Sequence, residues 1–317
     1  MFEICRFNKD IPFMSYGKIT TTISLVSFLL AVFFLVTKGL NLGIEFTGGT
    51  VLEVRYSQIA DLASIRQRLQ TLPGHSNENE IQVQLLGTPQ DVLIRLPGLK
   101  ANASDANLVE QVIATLRQDD PLLQQRMVDT VGPSVGNELF SKGLMAMLMV
   151  CLGIMLYLAV RFEWRFALSA IIANLHDVVI ILGFFAFFQW EFSLTVLAAI
   201  LAVLGYSVNE SVVVFDRIRE NFRKASMRGR PVNAIIDNAI TSTMSRTLIT
   251  HGSTQLMVLA ILLFGGAALH YFALALTIGI LFGIYSSVLV ASPLLLLFGL
   301  NRNNMAKPVR VKQEAVV

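Results

Sequence analysis

Long apolar blocks separated by short polar segments make up most of the chain, and one polar stretch of about 100 residues interrupts them. A block of about 20 residues is the length a helix needs to cross a hydrocarbon core of about 30 Å. The pattern predicts six membrane-spanning helices, at residues 18–36, 139–160, 166–188, 192–215, 246–264 and 271–298. No small-residue cleavage site follows the first block, which indicates an uncleaved helix.

The polar stretch after the first span predicts a compact α+β domain. Strand-like alternation and helical spacing of apolar residues follow one another along it. The predicted strands are residues 51–57, 80–87, 91–98 and 125–131, and the predicted helices are residues 60–72 and 105–118. The order β-α-β-β-α-β is typical of a ferredoxin-like fold.

Composition and charge agree with a membrane protein and set its orientation. The chain is 54% hydrophobic and 15% charged, whereas soluble domains have about 25% charged residues. Lys and Arg cluster beside alternate span ends, which predicts a multi-pass protein of a bacterial inner membrane with both termini in the cytoplasm and the domain in the periplasm. The same bias explains the net charge of +3, so nucleic-acid binding is not expected.

These features divide the chain into four parts. They are the cytoplasmic N-terminus and first helix (1–37), the periplasmic domain (38–138), helices two to six with a cytoplasmic loop at 216–245 (139–300), and a cytoplasmic tail (301–317). Within the loop, residues 231–245 are apolar on one side and follow several basic residues. This pattern is typical of a helix lying on the membrane surface.

Polar and ionisable residues inside the spans are the candidates for function, because such groups are costly in a membrane. The third span contains His176 and Asp177, the fourth Asn209 and Glu210, and Arg246 lies near the start of the fifth. Glu210 and Arg246 are at similar depth. They predict an ion pair that protonation would break, with these five residues as candidates for a proton relay.

Other interpretations of the same residues stay open. A static ion pair would fix the register of two helices without moving protons. An intramembrane hydrolase built on His176 and Asp177 would need a second acid or a set of metal ligands at helical spacing. No such set is found in the sequence, so neither a metal nor another cofactor is expected.

Four ordered motifs resemble the SecF family, the smaller membrane subunits of the bacterial SecD and SecF export pair in the resistance-nodulation-division superfamily. They are GIEFTGGT (43–50), VGPSVG (131–136), NLHDVVI (174–180) and GYSVNESVVVFDRIRENFRK (205–224), followed by SRTLIT (245–250). The resemblance extends over nearly the whole chain. It places the family's acidic residue on Glu210 and its arginine on Arg246.

The resemblance implies a function and a set of partners. Such a subunit pairs with a SecD-like protein, associates with the SecYEG translocon, and uses protons to assist a translocating polypeptide across a lipid membrane. Its structural motif residues fall on Phe46, Thr47, Gly48 and Gly49, and on Gly132 and Pro133. The family usually has Asp where this chain has Glu45 and Glu210, which adds one methylene to each side chain.

Two further functions are compatible with the sequence. A small-molecule proton antiporter of the same superfamily would share the buried charges, although such pumps usually have two large outer domains. A structural or assembly subunit would need the same helices without titration of Glu210.

Overall fold

Six long helices form the membrane part of the molecule. The structure, a computed structural model, describes residues 9–69, 81–97, 105–227 and 229–301. In chain order its helices are α1 (Gly17–Thr37), α2 (Ile44–Thr47), α3 (Leu62–Leu69), α4 (Asp105–Arg117), α5 (Pro133–Arg161), α6 (Trp164–Phe188), α7 (Leu194–Arg223), α8 (Val232–Phe264), α9 (Gly266–Leu289) and α10 (Ala291–Leu297). With α9 and α10 taken as one span, six segments within the described ranges are long and apolar enough to cross a membrane, so the six predicted spans are confirmed.

Local sequence explains where several of these helices begin and end. Pro133 lies in the first turn of α5, where a backbone N–H would have no partner within the helix, so the N–H that proline lacks is not needed. Ser193 caps α7, because its hydroxyl accepts a hydrogen bond from Val196 N at 3.4 Å. The last span is divided at Val290, three residues before Pro293, because a proline disrupts the hydrogen bonding of the preceding turn.

Three of the spans form the centre of the bundle. In the most apolar stretch of α6, α7 and the α9–α10 span, 56%, 56% and 50% of the residues are buried. The corresponding shares in α1, α5 and α8 are 11%, 11% and 17%. Residues that face the interior therefore come mainly from α6, α7 and α9, while α1, α5 and α8 surround them.

The domain between α1 and α5 is built on a four-stranded antiparallel sheet. Its strands are β2 (Gly49–Arg55), β3 (Gln82–Leu86), β4 (Thr88–Pro97) and β5 (Gln124–Val131), in the spatial order β3-β4-β2-β5. One face, with Leu52 and Ile94, packs against Ile65 of α3 and Val112 of α4. The strands and helices lie close to the predicted positions, and α5 begins ahead of the predicted border at residue 139.

A short connection joins the domain to the membrane helices. Strand β1 (Asn41–Leu42), just after α1, pairs in parallel with β6 (Glu191–Phe192), in the loop between α6 and α7. Gly43 N donates to Phe192 O at 2.9 Å. We call this end of the bundle the domain side and the opposite end the tail side. The loop between α6 and α7 is therefore tied to the chain that leads into the domain.

On the tail side, the connection between α7 and α8 differs from the prediction. The polar loop is limited to residues 224–231, instead of 216–245, because both helices extend beyond the apolar blocks. The predicted surface helix at 231–245 is the first part of α8, which is continuous because no proline follows its N-cap residue Pro231 before Phe264. Its apolar side contributes Ile235, Ile236 and Ile240 to a core with Phe215, so that side faces protein.

The first described residues lie against this part of α8. Met14 N donates to Asp237 Oδ1 at 2.8 Å, and Ile11 N donates to Thr241 Oγ1 at 3.0 Å. The segment just before α1 is thereby bonded to the first turns of α8. The predicted tail at 301–317 lies almost wholly outside the described residues.

Candidate proton site in the membrane helices

Asp177 on α6 lies at the meeting point of the three central helices. Its exposed fraction is 0%. Ser207 on α7 donates a hydrogen bond to Asp177 Oδ2 at 2.8 Å, and Ser286 on α9 donates to the same oxygen at 2.6 Å. Two neutral hydroxyl groups, each from a different helix, therefore hold one carboxyl oxygen.

His176 is the next residue along α6 and points in a different direction. Its Nδ1 lies 3.4 Å from Asp177 Oδ1, while its ring lies beside Phe28 of α1 and Tyr285 of α9. The Tyr285 hydroxyl donates to Thr20 O at 3.0 Å, which ties α9 to α1. Neighbouring helical positions differ in direction by about 100°, and the two side chains accordingly contact different groups.

Glu210 lies on α7 one turn beyond Ser207, and its exposed fraction is 5%. Thr247 on α8 donates to Glu210 Oε1 at 2.5 Å, and His251 Nε2 lies 3.3 Å from Glu210 Oε2. The His251 ring meets Tyr206 edge to face at 4.6 Å between centroids. Residues three apart share one face of a helix, so α7 links the surroundings of Asp177 to those of Glu210.

We call these residues the polar seam, and they span four helices. Its members are His176, Asp177, Ser207, Glu210, Thr247, His251 and Ser286.

The predicted ion pair between Glu210 and Arg246 is not present. Arg246 is exposed on the outer surface of α8, and Thr247 takes the position facing Glu210. The depth of Arg246 is as predicted, because its neighbour bonds to Glu210. Depth does not fix direction around the helix axis, and one residue along a helix turns the side chain by about 100°.

Asn209 also lies outside the polar seam. It is exposed on α7, although Glu210 beside it is buried. Asn209 and Arg246 are therefore at the same level of neighbouring helices, each directed away from the interior. Sequence reasoning placed both in the relay, and the structure groups neither with Glu210.

Four members of the seam were missed from the sequence, namely Ser207, Thr247, His251 and Ser286. Ser207, Thr247 and Ser286 each have other Ser, Thr or Tyr residues close by in the sequence, and Ser and Thr in helices commonly bond their own helix backbone. Their distance from Asp177 or Glu210 along the chain hides the contact. The sequence offers two signals, the spacing of three residues between Ser207 and Glu210 and the histidine at position 251 within the fifth predicted span.

The glycine motif lies at the base of the domain. Gly48 has φ 73° and Gly49 has φ 133°, conformations that glycine adopts readily. Phe46 is buried against Phe192 and Phe140, with ring centroids 5.8 Å and 6.0 Å away. The glycines thus turn the chain from α2 into β2 while Phe46 anchors it to the membrane helices.

The remaining motif residues complete this base. Thr47 Oγ1 donates to Gly43 O at 3.2 Å, which closes the single turn of α2. Gly132 is the N-cap of α5, and Pro133 follows it in the first turn. Gly136 packs so closely on α2 that an added Cβ would lie 2.9 Å from Gly48 N. These motif residues fix the conformation of the backbone where the chain passes between the domain and the membrane helices.

Two family models match the chain. Residues 111–301 match the model described as protein export membrane protein SecD/SecF, C-terminal, and residues 33–58 match the SecD/SecF GG motif. The first covers α5 to α10, including the polar seam. The second covers the end of α1 and the glycine motif.

Curated relatives align over nearly the full length. The protein translocase subunit SecF of Vibrio alginolyticus is 42% identical over 316 residues, which cover 99% of this chain and 98% of that protein. That of Haemophilus influenzae is 43% identical, with coverages of 93% and 88%. That of Pseudomonas aeruginosa is 40% identical, with 94% of each chain covered.

A solved structure has the same fold. The crystal structure of SecDF, a translocon-associated membrane protein from Thermus, superposes with a TM-score of 0.80 at 34% identity. The match covers 94% of this chain and 39% of that one, so this chain spans about two-fifths of that protein. With a family model over more than half of its length and relatives aligned throughout, the chain belongs to the SecF family of protein translocase subunits.

Proposed function

We propose that this subunit uses the proton-motive force, together with a SecD-like partner, to assist the export of polypeptides across the bacterial inner membrane. The observation that supports this proposal is the polar seam. Asp177 and Glu210 are 0% and 5% exposed, and neither forms an ion pair with Lys or Arg among the described residues. Buried ionisable residues in membrane helices are typical of proton pathways.

Protonation changes the hydrogen bonds that Glu210 makes. As a carboxylate it accepts from Thr247, and as an acid it also has a proton to donate. His251, at 3.3 Å, is the neighbour that exchanges such a proton. Because Thr247 and His251 both lie on α8, a change at Glu210 alters the packing between α7 and α8.

Asp177 is a second proton-binding group in the proposed cycle. Its partners lie on α7 and α9, so its protonation alters a different pair of contacts. A force of roughly 150–200 mV supplies about 3.5–4.6 kcal/mol per proton. Inverting an equilibrium from 1:99 to 99:1 takes about 5.5 kcal/mol. One proton biases such a change strongly, and two protons are enough to reverse it.

The exposed polar residues support a partner in the membrane. Arg246 and Asn209 face outward at one level, where contact with lipid would be costly. Ala198, Ala202 and Gly205 continue the exposed face of α7 beside Asn209, and small residues allow helices to approach closely. We infer that the helices of a SecD-like subunit cover this surface, and that a partner group neutralises Arg246.

We further propose that the α+β domain is ferredoxin-like and lies in the periplasm, where it acts on the translocating polypeptide beside the SecYEG translocon. The strand order β3-β4-β2-β5 with both helices on one face supports this fold. The basic residues Arg161, Arg165, Arg217 and Arg223 lie on the tail side, which supports a cytoplasmic location for that side. Both termini are then cytoplasmic.

The experiment is pulse-labelled export of a secreted precursor in cells whose only copy of the subunit is Glu210→Gln. Glutamine keeps the shape but cannot titrate. Glu220→Gln is the matched control, since Glu220 is exposed on the same helix and pairs with Lys224. Asp177→Asn forms a second arm. Membrane level and association with the SecD-like partner are measured for every variant.

We expect Glu210→Gln to accumulate, to bind its partner and to export as slowly as cells without the subunit, while Glu220→Gln exports normally. Export at the wild-type rate in both Glu210→Gln and Asp177→Asn would contradict the proposal. The subunit would then be better described as structural, because neither buried carboxyl group needs to change charge.

A further inference from the structure

One arginine of the domain reaches the outer ends of the central membrane helices. Arg95 lies on β4, 6% exposed, with its neighbours in the sheet on β2 and β3. Its Nη2 forms an ion pair with Glu191 in the loop between α6 and α7. A charged side chain of the domain is therefore held by the connection between two seam-bearing helices.

A second carboxylate and a tyrosine complete this cluster. Glu45 of α2 and Tyr271 at the domain-side end of α9 act electrostatically on Arg95. Glu45 Oε2 and Glu191 Oε1 both lie beside the Cα of Gly43. Arg95 is thus surrounded by the linker into the domain, the loop between α6 and α7, and the start of α9.

Arg95 is buried, Glu45, Glu191 and Tyr271 are half-buried, and the cluster is not fully hydrogen-bonded. Among the described residues, Arg95 Nε and Glu45 Oε2 have no hydrogen-bond partner. Burial is the main cause that lowers the pKa of the Arg95 guanidinium. A buried ion pair contributes little net stability compared with apolar residues of the same size. Glu45 and Glu191 are half-buried, so water can solvate both carboxylates when the pair opens. Simple attachment of the domain would not require this chemistry.

The position of the cluster connects it to the polar seam. Asp177 lies eleven residues before the end of α6 at Phe188, which corresponds to about 17 Å along the helix axis. The helices α6, α7 and α9, whose domain-side ends meet Arg95, supply Asp177, Ser207 and Ser286. A movement of these helices therefore changes the surroundings of Arg95 directly.

We propose that Arg95 is a positioning residue that docks the domain on the outer ends of α6, α7 and α9, and that its release from Glu191 and Glu45 and its return couple domain position to the polar seam. The proposal rests on the export function proposed above. With Arg95 docked, one guanidinium and two carboxylates leave one net negative charge. Its withdrawal leaves both carboxylates unpaired at the mouth of the bundle, where they attract cations, including hydrated protons.

The first test reverses the charges of the pair. Cells carry Arg95→Glu, Glu191→Arg or both, and export of a labelled precursor is measured with membrane level as a check. Arg117→Glu is the matched control, since Arg117 is exposed on α4 of the same domain. We expect each single reversal to slow export at least fivefold, the double variant to export within about twofold of wild type, and the control to be unaffected.

The double variant separates docking from general destabilisation, because two independently harmful changes would not restore function. If it exports no better than the single variants, or if the single variants export normally, Arg95 has no positioning role.

The second test uses a cross-link to prevent the domain from separating from the loop between α6 and α7. Gln82→Cys, opposite Arg95 in the sheet, and Gln189→Cys, two residues before Glu191, are introduced after replacement of the two natural cysteines, Cys5 and Cys151, so that Arg95 and Glu191 stay in place. An extended Arg–Glu pair separates the backbones by more than a disulfide spans, so a reducible bifunctional thiol reagent is used. Export is expected to stop after cross-linking and to resume on reduction. Undiminished export by the cross-linked protein would contradict the proposal, whatever result Glu210→Gln gives, because the cross-link does not alter Glu210.

Discussion

The short hydrogen bond from Thr247 to Glu210 is one of two contacts that connect this carboxyl group to α8. A hydroxyl donor stabilises a carboxylate by about 1.5–3 kcal/mol when both are buried. Removing it therefore changes the equilibrium between the charged and protonated forms of Glu210, without removing the titrating group.

We expect Thr247→Val to slow export several-fold, because the substitution keeps the side-chain shape and deletes only the donor. Thr243→Val is the matched control. Thr243 is one turn away, is also buried, and bonds only the carbonyl groups of its own helix. Equal export rates of the two variants in pulse-labelled cells would show that the bond to Glu210 has no part in the cycle.

A second prediction at this scale concerns Asp120 in the domain. Its Oδ2 accepts from Ser57 N at 2.6 Å and its Oδ1 from Leu122 N at 3.0 Å. The bond from Ser57 is the main cause that holds the Asp120 pKa below its usual range. A lowered folded-state pKa contributes stability above the unfolded value of about 3.9, and this contribution is lost as the pH falls through the folded-state pKa.

Asp120→Asn should therefore lower the midpoint of thermal unfolding at about pH 7, and the difference from wild type should shrink towards about pH 3. Melting of the detergent-solubilised protein at both values measures this. Asp129→Asn, at an exposed position of β5, serves as the control and should leave the midpoint unchanged. A difference for Asp120→Asn that does not depend on pH would contradict the assignment.

At the residue scale, the sequence identifies buried charges well and their partners poorly. Asp177 and Glu210 stand out because a carboxyl group is rare in an apolar run. Their hydroxyl partners are common in such runs. The error with Arg246 has the same origin, since the chain specifies depth along a helix, whereas contacts also depend on rotation about its axis.

At the scale of single elements, α5 packs closely against α2, where the domain joins the membrane part. A methyl group at Gly136 would lie 2.9 Å from Gly48 N and 3.1 Å from Phe46 O. Both atoms belong to the backbone, which cannot move aside as a flexible side chain does. The fit between these elements therefore depends on a residue without a side chain.

We expect Gly136→Ala to destabilise the protein by about 1–3 kcal/mol, as overpacking typically does. Gly153→Ala is the matched control in the same helix, where an added methyl group meets no atom within 4 Å. Its effect should be neutral or slightly stabilising, because alanine is the better helix former. Unfolding midpoints in detergent that fall equally for both variants would contradict this account of the packing.

Elements were predictable where the hydrophobic period was long and regular. The six spans and the strands of the domain follow from such periods. The connection between α7 and α8 was misjudged because polar residues in 216–245 suggested a loop, although α8 continues from Val232 to Phe264. The sequence does not show that Ile235 and Ile240 are covered by protein instead of lipid.

At the scale of the whole molecule, the outward face of α7 is the surface assigned to the partner. Gly205 lies on it, and an added Cβ at that position meets nothing within 4 Å in this chain. A bulky residue there should leave the subunit itself intact and obstruct a helix that packs on it.

Gly205→Leu is therefore expected to reach the membrane at normal levels and to co-purify with at least fivefold less SecD-like partner. Gly153→Leu, also facing open space but on α5, should bind normally. Co-purification from detergent extracts measures both. Normal recovery of the partner with Gly205→Leu would place the interface elsewhere.

Helix α8 is longer than a membrane is thick. Its 33 residues extend about 50 Å, against a hydrocarbon core of about 30 Å. The surplus lies on the tail side, where Asp237 and Thr241 hold the backbone at Met14 and Ile11. Glu210 contacts α8 near its middle, whereas the segment before α1 is bonded to its tail-side end. A small tilt of α8 about its contact with Glu210 produces a larger displacement at the tail-side end. This displacement moves the residues just before α1, and the other end of α1 leads into the domain.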